Sequence, residues 1–420
     1  MKALVTPFRA SGTVSAPSSK SELHRQLIAA ALADRPTDIR CSAANRDIEA
    51  TVRCLSALGA DITGRPGGLC VVPLRREALP DTPALDCGES GSTLRFLTPV
   101  VCALGCGAVM TGKGRLPERP MSALVRALAG HGAAFSSEML PFTIRGQLAG
   151  GVYTLPGNVS SQYVTGLMLA APLASGVDIR IEGALQSVGY VRMTAETLAA
   201  FGVRAEVMPD RILVPAGQRY ISPGTVQTGG DWSGAAFPLC LGALGGPVRV
   251  DGLGEDSAQG DRRIVGLLRE AGAAVDTGGS GVSRGHLRGL SVDVSDIPDL
   301  VPVLAALLMH AEGDSAFLNA GRLRLKESDR LATTCAMVNT LGGEARVEGD
   351  SLLISGRPHC PGGTVDGAGD HRIVMAAAVG ASACEGPSLI LGAEAVAKSW
   401  PGFFEAMKAL GGKIDVVDVR

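Results

Sequence analysis

Apolar positions along this chain follow two periods in turn, a helical period near 3.6 residues and the two-residue alternation of a strand. The helical stretches place apolar side chains on one face, as amphipathic helices packed on a core do. Two such faces are formed by Ile48, Val52, Leu55 and Leu58 and, more loosely, by Leu331, Met337, Val338 and Leu341. The alternation of the two periods predicts a chain that mixes helices with short strands.

The same arrangement returns six times. Each predicted helix ends before a short β-branched or alternating run, and the glycines at these ends are Gly59, Gly132, Gly202, Gly272, Gly342 and Gly411. Successive members of the set are 69 to 73 residues apart. A glycine suits the left-handed residue that closes a helix before a strand. We therefore predict six small α/β units of about 70 residues, three in each of two domains, since such units are too long for a solenoid array.

The chain length and the turn signals place the domain boundary near the middle. At 420 residues the chain is long enough for two or three domains, each with its own core. The turn-rich run from Ser222 to Gly230 is the predicted boundary. The strand predicted in residues 1–7 precedes the first helix and could belong to either half.

Composition narrows the functional class. A net charge of -2 supplies no general basic field, which argues against nucleic acid or anionic lipid as a partner. The ten cysteines include no C-x-x-C pair, and the six histidines are scattered, which argues against a zinc site or a disulfide framework and fits a reducing compartment. No stretch approaches 18 apolar residues, so a membrane span is not expected. We expect a cytoplasmic enzyme without a metal or other cofactor.

Polar and charged residues concentrate where the predicted helices begin. Free backbone N–H groups and the helix dipole favour an anion at such positions. In the first half, Ser19 and Glu22 form an S-x-x-E capping box, which puts Lys20 and Ser21 at a helix start with Arg25 one turn later. This pattern predicts a cradle for phosphate or carboxylate, although a capped surface helix with solvated cations explains it equally well in isolation.

Further helix starts of the first half carry candidates for binding an anionic ligand. Each one alone is also compatible with an ordinary turn, cap or charged surface loop. The candidates are Gly91 in a Gly/Ser turn, Arg119 in a Gly/Pro-framed loop, Ser160, Ser161 and Gln162 before an apolar helix, and Ser187 with Tyr190 before the next.

The second half adds the groups suited to proton transfer. Asp299 follows a proline at a helix start, where it could equally be an acid that favours the helix dipole. Glu327 lies between Lys326 and Arg330, as a structural ion pair or a positioned acid would. The remaining candidates are His371, Arg372 and Lys398. Together the two halves predict a site for small, highly charged anions that are handled with acid–base help.

These residues resemble the 5-enolpyruvylshikimate-3-phosphate synthase family, an enolpyruvyl transferase family, over almost the whole chain. The matching runs are Pro17 to Ser21, Gly91 to Arg95, Glu118 to Pro120, Ser160 to Gln162, Asp296 to Asp299, Leu323 to Arg330, Asp370 to Arg372 and Ala397 to Lys398. The resemblance implies an α/β fold in which two domains each contain three βαβαββ units, as an inside-out α/β barrel. It also implies domains of residues 1–18 plus 231–420 and 19–230, joined by a two-strand hinge near 18–19 and 229–231.

The resemblance further implies the reaction, in which phosphoenolpyruvate gives its enolpyruvyl group to the 5-hydroxyl of shikimate 3-phosphate and phosphate leaves through a tetrahedral adduct. It implies that shikimate 3-phosphate is held by Lys20, Ser21, Arg25, Ser160, Ser161, Gln162, Ser187, Asp299 and Lys326, with Tyr190 close by. Phosphoenolpyruvate would be held by the Gly91 amides and by Lys20, Arg119, Gln162, Arg330, Arg372 and Lys398. Asp299 would be the base for the hydroxyl and Glu327 the acid for the vinyl carbon, with Lys20, Lys398 and His371 assisting. The two small molecules would be its partners, and a monomer is expected.

Three positions depart from the family pattern. Glu89 stands where the family usually has Asn, Ser92 where it has Thr, and Arg322 where it often has Asn or Gln. Three alternatives stay open: the sister family that acts on UDP-N-acetylglucosamine, a paralogue that acts on a related cyclic alcohol phosphate, and a paralogue that binds anions without catalysis. The sister family carries a cysteine about five residues before the equivalent of Arg119, and here that position is Gly114.

Overall fold

The protein is described by a computed structural model that covers residues 1–42 and 45–418. Its chain forms two compact units. The central unit is Ser18–Gly229, and the C-terminal unit combines Met1–Pro17 with the chain from Gly230 onward. No helix of the covered residues has both the length and the hydropathy that crossing a bilayer requires.

Short strands and helices alternate along the whole chain. The strands are β1 (Lys2–Thr6), β2 (Gly12–Ser15), β3 (Thr37–Arg40), β4 (Asp61–Arg65), β5 (Gly68–Val72), β6 (Ala84–Asp86), β7 (Ala108–Thr111), β8 (Ala133–Phe135), β9 (Phe142–Gly146), β10 (Gly151–Pro156), β11 (Val177–Glu182), β12 (Glu206–Val207), β13 (Arg211–Val214), β14 (Thr225–Gln227), β15 (Val248–Asp251), β16 (Ala274–Val275), β17 (Gly281–Ser283), β18 (Ser291–Asp293), β19 (Asp314–Leu318), β20 (Glu344–Glu348), β21 (Ser351–Ser355), β22 (Thr364–Asp366), β23 (Ser388–Leu391) and β24 (Lys413–Val417). The α-helices are α1 (Lys20–Ala31), α2 (Arg46–Ala57), α3 (Gly91–Leu104), α4 (Ser122–Ala129), α5 (Ser161–Ala170), α6 (Val188–Ala200), α7 (Trp232–Leu244), α8 (Ile264–Glu270), α9 (Val301–Leu308), α10 (Arg330–Thr340), α11 (His371–Ala381) and α12 (Phe403–Ala409).

One strand topology occurs six times. In each of the sheet orders given next, the first and second strands are parallel, the second and third are antiparallel, and the third and fourth are antiparallel. The sheet orders are β14-β3-β5-β4, β6-β7-β9-β8, β10-β11-β13-β12, β2-β15-β17-β16, β18-β19-β21-β20 and β22-β23-β1-β24. This is the predicted βαβαββ unit, and three sheets belong to each of the two units of the chain.

Three sheets take a strand from a distant part of the sequence, and in one of them β2 pairs with β15. β14 pairs with β3, so the end of the central unit completes its first sheet. β1 lies between β23 and β24, with Val5 opposite both Ser388 and Ile414. The N-terminal strand, which the sequence left open to either half, therefore belongs to the C-terminal unit.

The helices of each repeat differ in burial. The first helix of each repeat, namely α1, α3, α5, α7, α9 and α11, is buried over most or all of its length. The second helix keeps an exposed face, and strands such as β11 alternate buried and exposed residues. Each unit thus has helices inside and sheets outside. Among the strands of residues 1–42 and 45–418 the hydrogen-bonded ladders form separate sheets and no closed barrel, so the expected inside-out barrel describes the layering alone.

The six repeated glycines have the predicted backbone conformation. Their φ angles lie between 77° and 104°, a left-handed region that residues with a Cβ rarely adopt. Each of them follows the end of the second helix of its repeat and turns the chain into the next strand. The 70-residue period therefore reflects one physical requirement met six times.

Candidate active site

The starts of the buried helices in the central unit converge on Arg25. Its guanidinium donates from Nε to Thr194 Oγ1 at 2.8 Å and from Nη2 to Thr165 Oγ1 at 3.2 Å and to the Tyr190 carbonyl at 3.1 Å. It also donates to the Ser21 carbonyl and lies 4.9 Å from the ring centre of Phe96. Because these partners lie in the first or second turn of α1, α3, α5 and α6, the four helix starts lie together.

Arg25 is a buried cation whose hydrogen-bond partners are neutral oxygens. Its side chain is 1% exposed, and burial lowers the pKa of the guanidinium to about 10. Its donors point mainly to neutral hydroxyl and carbonyl oxygens of neighbouring helices. The structure therefore places this predicted ligand residue where it also fixes Ser21 and Tyr190, two further residues of the predicted set.

Lys20 pairs with an acid that the sequence analysis missed. Its Nζ lies 2.8 Å from Oδ2 of Asp47, and both side chains are largely buried. Asp47 lies in the first turn of α2, behind the N-cap residue Asn45. Its importance could not be read from the sequence, because its partner Lys20 lies 27 residues away along the chain.

The predicted capping box is only half formed. Ser19 Oγ accepts a hydrogen bond from the N–H of Glu22 at 3.4 Å, as predicted. Glu22 was expected to reach back to the cap, but its carboxylate accepts from the Gly229 N–H at 3.0 Å, while the Ser19 N–H donates to the Gly229 carbonyl. Gly229 satisfies both groups because the return of the chain at the end of the central unit passes alongside the start of α1.

A network of side chains surrounds the Gly91 turn. A Cβ on Gly91 would lie 2.7 Å from Nη1 of Arg119, so the arginine lies directly against the glycine. Gln162 donates from Nε2 to Ser92 Oγ at 2.9 Å and accepts at Oε1 from Arg95 at 2.7 Å. Arg95, which was quoted in a matching run but given no role, therefore orients the Gln162 amide.

Three further predicted serines of this unit also lie at helix starts. Ser160 is the N-cap of α5 and accepts from the Gln162 N–H at 3.3 Å, and Ser161 is the first residue of the helix. Ser187 is the N-cap of α6 and has the left-handed φ of 60°. It is 2% exposed, and the Tyr190 N–H donates to its carbonyl at 3.1 Å.

The C-terminal unit gathers three carboxylates around one arginine. Arg330 is 1% exposed and donates from Nε to Asp370 at 2.7 Å, from Nη1 to Asp299 at 2.7 Å and from Nη2 to Glu327 at 2.6 Å. Burial alone would lower the pKa of this guanidinium, but the charges of Asp370, Glu327 and Asp299 outweigh burial and raise it. Arg330 thus holds the predicted base and the predicted acid at fixed positions.

Asp299 is surrounded by cations. Lys326 Nζ lies 3.1 Å from its Oδ1, and Arg372 Nη2 lies 3.5 Å from its Oδ2. Burial alone would raise the pKa of Asp299, but Arg372, Lys326 and Arg330 hold it well below its usual value. Burial also lowers the pKa of Lys326, against the opposing charge of Asp299. Asp299 is therefore a carboxylate that stays ionised while it is shielded from water.

Two further acids belong to this cluster and were not predicted as site residues. Asp370 is the N-cap of α11, accepts from the Arg372 N–H at 3.0 Å and is 0% exposed. Asp261 accepts a hydrogen bond from Ser233 Oγ and is 3% exposed. Burial, and next the charge of Asp299, raise the pKa of Asp261 to about 7. The aspartate beside His371 was readable as a cap from sequence, whereas Asp261 reaches the cluster only through tertiary packing.

The remaining predicted residues of this unit are His371 and Lys398. His371 is the first residue of α11 and is 1% exposed, with Nδ1 lying 3.7 Å from Oδ1 of Asp370. Lys398 is 6% exposed and ends the short 3₁₀ turn Ala393–Lys398 that precedes α12.

The three departures have distinct settings. Glu89 is exposed, and its side chain lies over Gly114, where an added Cβ would be 2.9 Å from the Glu89 Cδ. Ser92 accepts from Gln162, as described above. Arg322 is half-buried and lies 3.4 Å from the Ser295 carbonyl. A side chain at residue 114, such as the cysteine of the sister family, would collide with Glu89.

Comparison with known proteins assigns the family. The family profile of EPSP synthase (3-phosphoshikimate 1-carboxyvinyltransferase) matches residues 5–407. A 3-phosphoshikimate 1-carboxyvinyltransferase from Clostridium kluyveri is 40% identical over 416 residues, which are 98% of this chain and 97% of that protein. The chain belongs to the EPSP synthase family. The predicted family resemblance is thereby confirmed over the length of the chain.

Solved structures agree with the fold. EPSP synthase from Acinetobacter baumannii superimposes with a TM-score of 0.82 at 26% identity and covers 99% of this chain and 100% of its own. The enolpyruvyl transferase NikO from Streptomyces tendae has a TM-score of 0.78 at 19% identity, over 100% of this chain and 99% of its own, and shows the fold alone. The two-domain α/β architecture of the EPSP synthase family is therefore confirmed.

Proposed function

We propose that this protein transfers the enolpyruvyl group of phosphoenolpyruvate to the 5-hydroxyl of shikimate 3-phosphate and releases phosphate, in the pathway to chorismate and the aromatic amino acids. Membership of the EPSP synthase family carries this proposal. Two features of the structure support it, namely the cations at helix starts in one unit and the cation–carboxylate cluster in the other. Two anionic reactants need fixed positive charge to bind, and the transfer of the enolpyruvyl group needs an acid and a base.

The central unit supplies most of the binding groups in this proposal. Lys20, Ser21, Arg25 and the helix start at Ser160 to Gln162 hold shikimate 3-phosphate, with Ser187 and Tyr190 at the adjoining start of α6. The first-turn N–H groups at Gly91, the Arg119 guanidinium and the Gln162 amide hold phosphoenolpyruvate. Helix starts and guanidinium groups are the two devices that bind phosphate and carboxylate most directly. Holding both reactants in reacting geometry contributes ~7–11 kcal/mol to lowering the barrier.

The C-terminal unit supplies the proton transfers. Asp299 accepts the proton of the 5-hydroxyl as its oxygen attacks C2 of phosphoenolpyruvate, and Glu327 gives a proton to C3, which becomes a methyl group in the tetrahedral adduct. Loss of a methyl proton and of phosphate then restores the double bond. Lys326, Arg330, Arg372 and Lys398 hold the substrates' negative charge, and Lys20, Lys398 and His371 assist the proton transfers. Each positioned acid or base contributes roughly 10²–10⁴-fold in rate.

The ion pairs support the role of Asp299 as a proton acceptor. The low pKa of Asp299, held down by Arg372, Lys326 and Arg330, makes it a carboxylate at neutral pH. Its nearest cations are Lys326 and Arg330, and Arg330 also binds Glu327 at 2.6 Å. When an anionic substrate enters, it competes with the carboxylates for the same cations, and this competition loosens Asp299 and Glu327 for proton transfer.

A second acceptor, UDP-N-acetylglucosamine, is disfavoured by one observation. Gly114 has a φ of 56° and lies against Glu89, so a cysteine at this position, as in the sister family, would have a strained backbone and would displace the Glu89 side chain. A paralogue for another cyclic alcohol phosphate differs from the proposal only in the acceptor, which the same assay distinguishes.

Phosphate release from the purified full chain tests the function. The assay supplies phosphoenolpyruvate alone, with shikimate 3-phosphate, and with UDP-N-acetylglucosamine. We expect phosphate only with shikimate 3-phosphate. Release with UDP-N-acetylglucosamine instead would assign the chain to the sister reaction, and no release with either acceptor would contradict the proposal.

We also propose a cytoplasmic location and a monomeric state. All ten cysteines are free thiols, as expected of a reducing compartment. Light scattering on protein eluted from a size-exclusion column measures the molar mass in solution. A molar mass of twice the 42.9 kDa of one chain would contradict the monomer.

A further inference from the structure

A buried chain of hydrogen bonds in the central unit ends at the turn that carries Gly91. Nδ1 of His24 lies 2.7 Å from Thr51 Oγ1, which lies 2.7 Å from Thr93 Oγ1, which donates to Ser90 Oγ at 2.7 Å. All four side chains are 0% exposed. The chain joins three helices, because His24 belongs to α1, Thr51 to α2, and Ser90 with Thr93 to the start of α3.

The hydroxyl protons fix the direction of this chain. A threonine hydroxyl has one proton to donate, and that of Thr93 points to Ser90 Oγ, with the Asp47 carbonyl a longer 3.4 Å away. Thr51 must therefore donate to Thr93. Since the proton of Thr51 is then used, Nδ1 of His24 must carry a proton and donate to Thr51.

The surroundings of His24 agree with this tautomer. Burial, and next the charges of Lys20 and Arg25, hold the pKa of His24 well below its usual value, so the ring is neutral and carries one proton. Among the described residues, Nε2 has no hydrogen-bond partner. A buried lone pair without a partner is tolerated better than a buried N–H without one. The proton therefore belongs on Nδ1.

We propose that His24, acting through Thr51 and Thr93, is a positioning residue for the phosphoenolpyruvate site. Ser90 caps α3 by accepting from the Thr93 N–H at 3.2 Å, so the chain ends on the group that sets the first turn of this helix. One helical turn before His24 and Thr51 lie Lys20 and Asp47, which form their own pair at 2.8 Å. The buried chain thus ties the Gly91 turn to the helix start that holds Lys20.

This inference rests on the proposed function, because the turn matters only if its N–H groups bind a substrate. The inference adds a requirement to the proposed binding. The backbone amides of Gly91 and Ser92 keep their orientation only if the neutral His24 holds Ser90 through Thr51 and Thr93. A displacement of these amides weakens their bonds to an anion that approaches along the helix axis.

Steady-state kinetics of three variants test the role. Thr93→Val keeps the shape and removes the hydroxyl, and Thr93→Ser restores it. Thr98→Val is the matched control, since Thr98 lies in the same helix, is 0% exposed, and donates only to the Leu94 carbonyl at 2.7 Å. We expect Thr93→Val to raise KM for phosphoenolpyruvate roughly 5- to 10-fold, as one or two lost buried hydrogen bonds do. KM for shikimate 3-phosphate should stay unchanged, and Thr93→Ser and Thr98→Val should behave as the unmodified protein. Equal effects of Thr93→Val and Thr98→Val, or a parallel rise of both KM values, would overturn the positioning role.

Nuclear magnetic resonance of protein labelled with ¹⁵N at its six histidines tests the hydrogen-bond direction independently of turnover. The His24 signals are assigned by their loss in His24→Asn. We expect the ring proton on Nδ1, at every pH at which the protein is folded. A proton on Nε2 would overturn the inferred direction. If the unmodified protein released no phosphate, the proposed function and the positioning role would both be contradicted. The tautomer of His24 would still test the direction of the hydrogen bonds from His24 to Ser90.

Discussion

The two units hold their most buried arginines in opposite ways. Arg25 and Arg330 are each 1% exposed and each lie in the first or second turn of a helix. Arg25 donates to hydroxyl and carbonyl oxygens, and burial lowers its pKa, whereas Arg330 donates to three carboxylates that raise its pKa despite burial. The positive charge of Arg25 can therefore attract an anionic ligand, whereas the positive charge of Arg330 is balanced by the carboxylates that it positions.

We propose that this difference separates substrate binding from proton transfer. A cation that is oriented by neutral groups, as Arg25 is, presents a field for phosphate and carboxylate ligands. A unit whose cations are balanced by acids fixes those acids and sets their pKa values. Four predictions, from the largest expected effect to the smallest, test this separation.

Removing the proposed base should affect turnover far more than binding. For Asp299→Asn we expect kcat to fall by roughly 10²–10⁴-fold, because a positioned base is lost. Shikimate 3-phosphate should still bind, since most of its proposed ligands belong to the central unit. Phosphate release and calorimetric titration measure the two effects. Asp314→Asn, on an exposed strand position of the same unit, is the control, and an equal loss there would point to general damage.

The two arginines should differ in what they contribute to stability. Arg330→Met leaves three largely buried carboxylates without their shared cation, which costs about 3–5 kcal/mol. Arg25→Met leaves only neutral acceptors without a donor, which costs about 1–3 kcal/mol. Urea unfolding of both variants under identical conditions compares them. Similar losses in the two variants would show that the acids around Arg330 are better solvated than their burial indicates.

The Gly91 turn should tolerate no side chain. In Gly91→Ala the new Cβ would lie 2.7 Å from Arg119 Nη1, so the guanidinium must move away. We expect KM for phosphoenolpyruvate to rise ~10-fold while KM for shikimate 3-phosphate is unchanged, because only the first substrate is proposed to bind at Arg119. Gly64→Ala, where an added Cβ meets nothing within 4 Å, is the matched control. A change in both KM values would contradict the proposal that Arg119 binds phosphoenolpyruvate alone.

Asp261 should give the C-terminal unit a characteristic pH dependence. Its pKa is raised from 3.8 to about 7 by burial and by Asp299, so between these values the folded protein keeps a proton that the unfolded chain releases. Its contribution to the free energy of unfolding therefore decreases as the pH rises through this window and is constant above it. Asp299, whose pKa is lowered, acts in the opposite sense and loses its contribution as the pH falls.

Comparison of the protein with Asp261→Asn isolates this contribution. The difference in urea midpoint, unmodified minus variant, should decrease between about pH 4 and pH 7. A difference that is constant over this range would mean that Asp261 is ionised in the folded state throughout.

Local physics made much of this molecule predictable. The six glycines have a conformation that only local sequence determines, and the helix starts at Lys20, Ser160 and Asp299 follow from caps and prolines. Because first turns bind anions whatever the rest of the fold does, such turns can be recognised as candidate binding sites from the sequence alone.

What escaped prediction depends on distant contacts. Asp47 and Asp261 become important through partners 27 and 28 residues away, Lys20 and Ser233, which no helical or strand period brings together. Glu22 leaves the predicted capping box because Gly229, 207 residues later, offers an N–H. The direction of the His24 chain likewise depends on three helices that only the fold brings together.

The most direct test of the account is Glu327→Gln, measured for binding and for turnover on the same sample. Glutamine keeps the size of the side chain and cannot give up a proton as a carboxylic acid does. We predict that shikimate 3-phosphate still binds and that phosphate release falls by at least about 10²-fold. Unchanged turnover would contradict the assignment of proton transfer to the C-terminal unit.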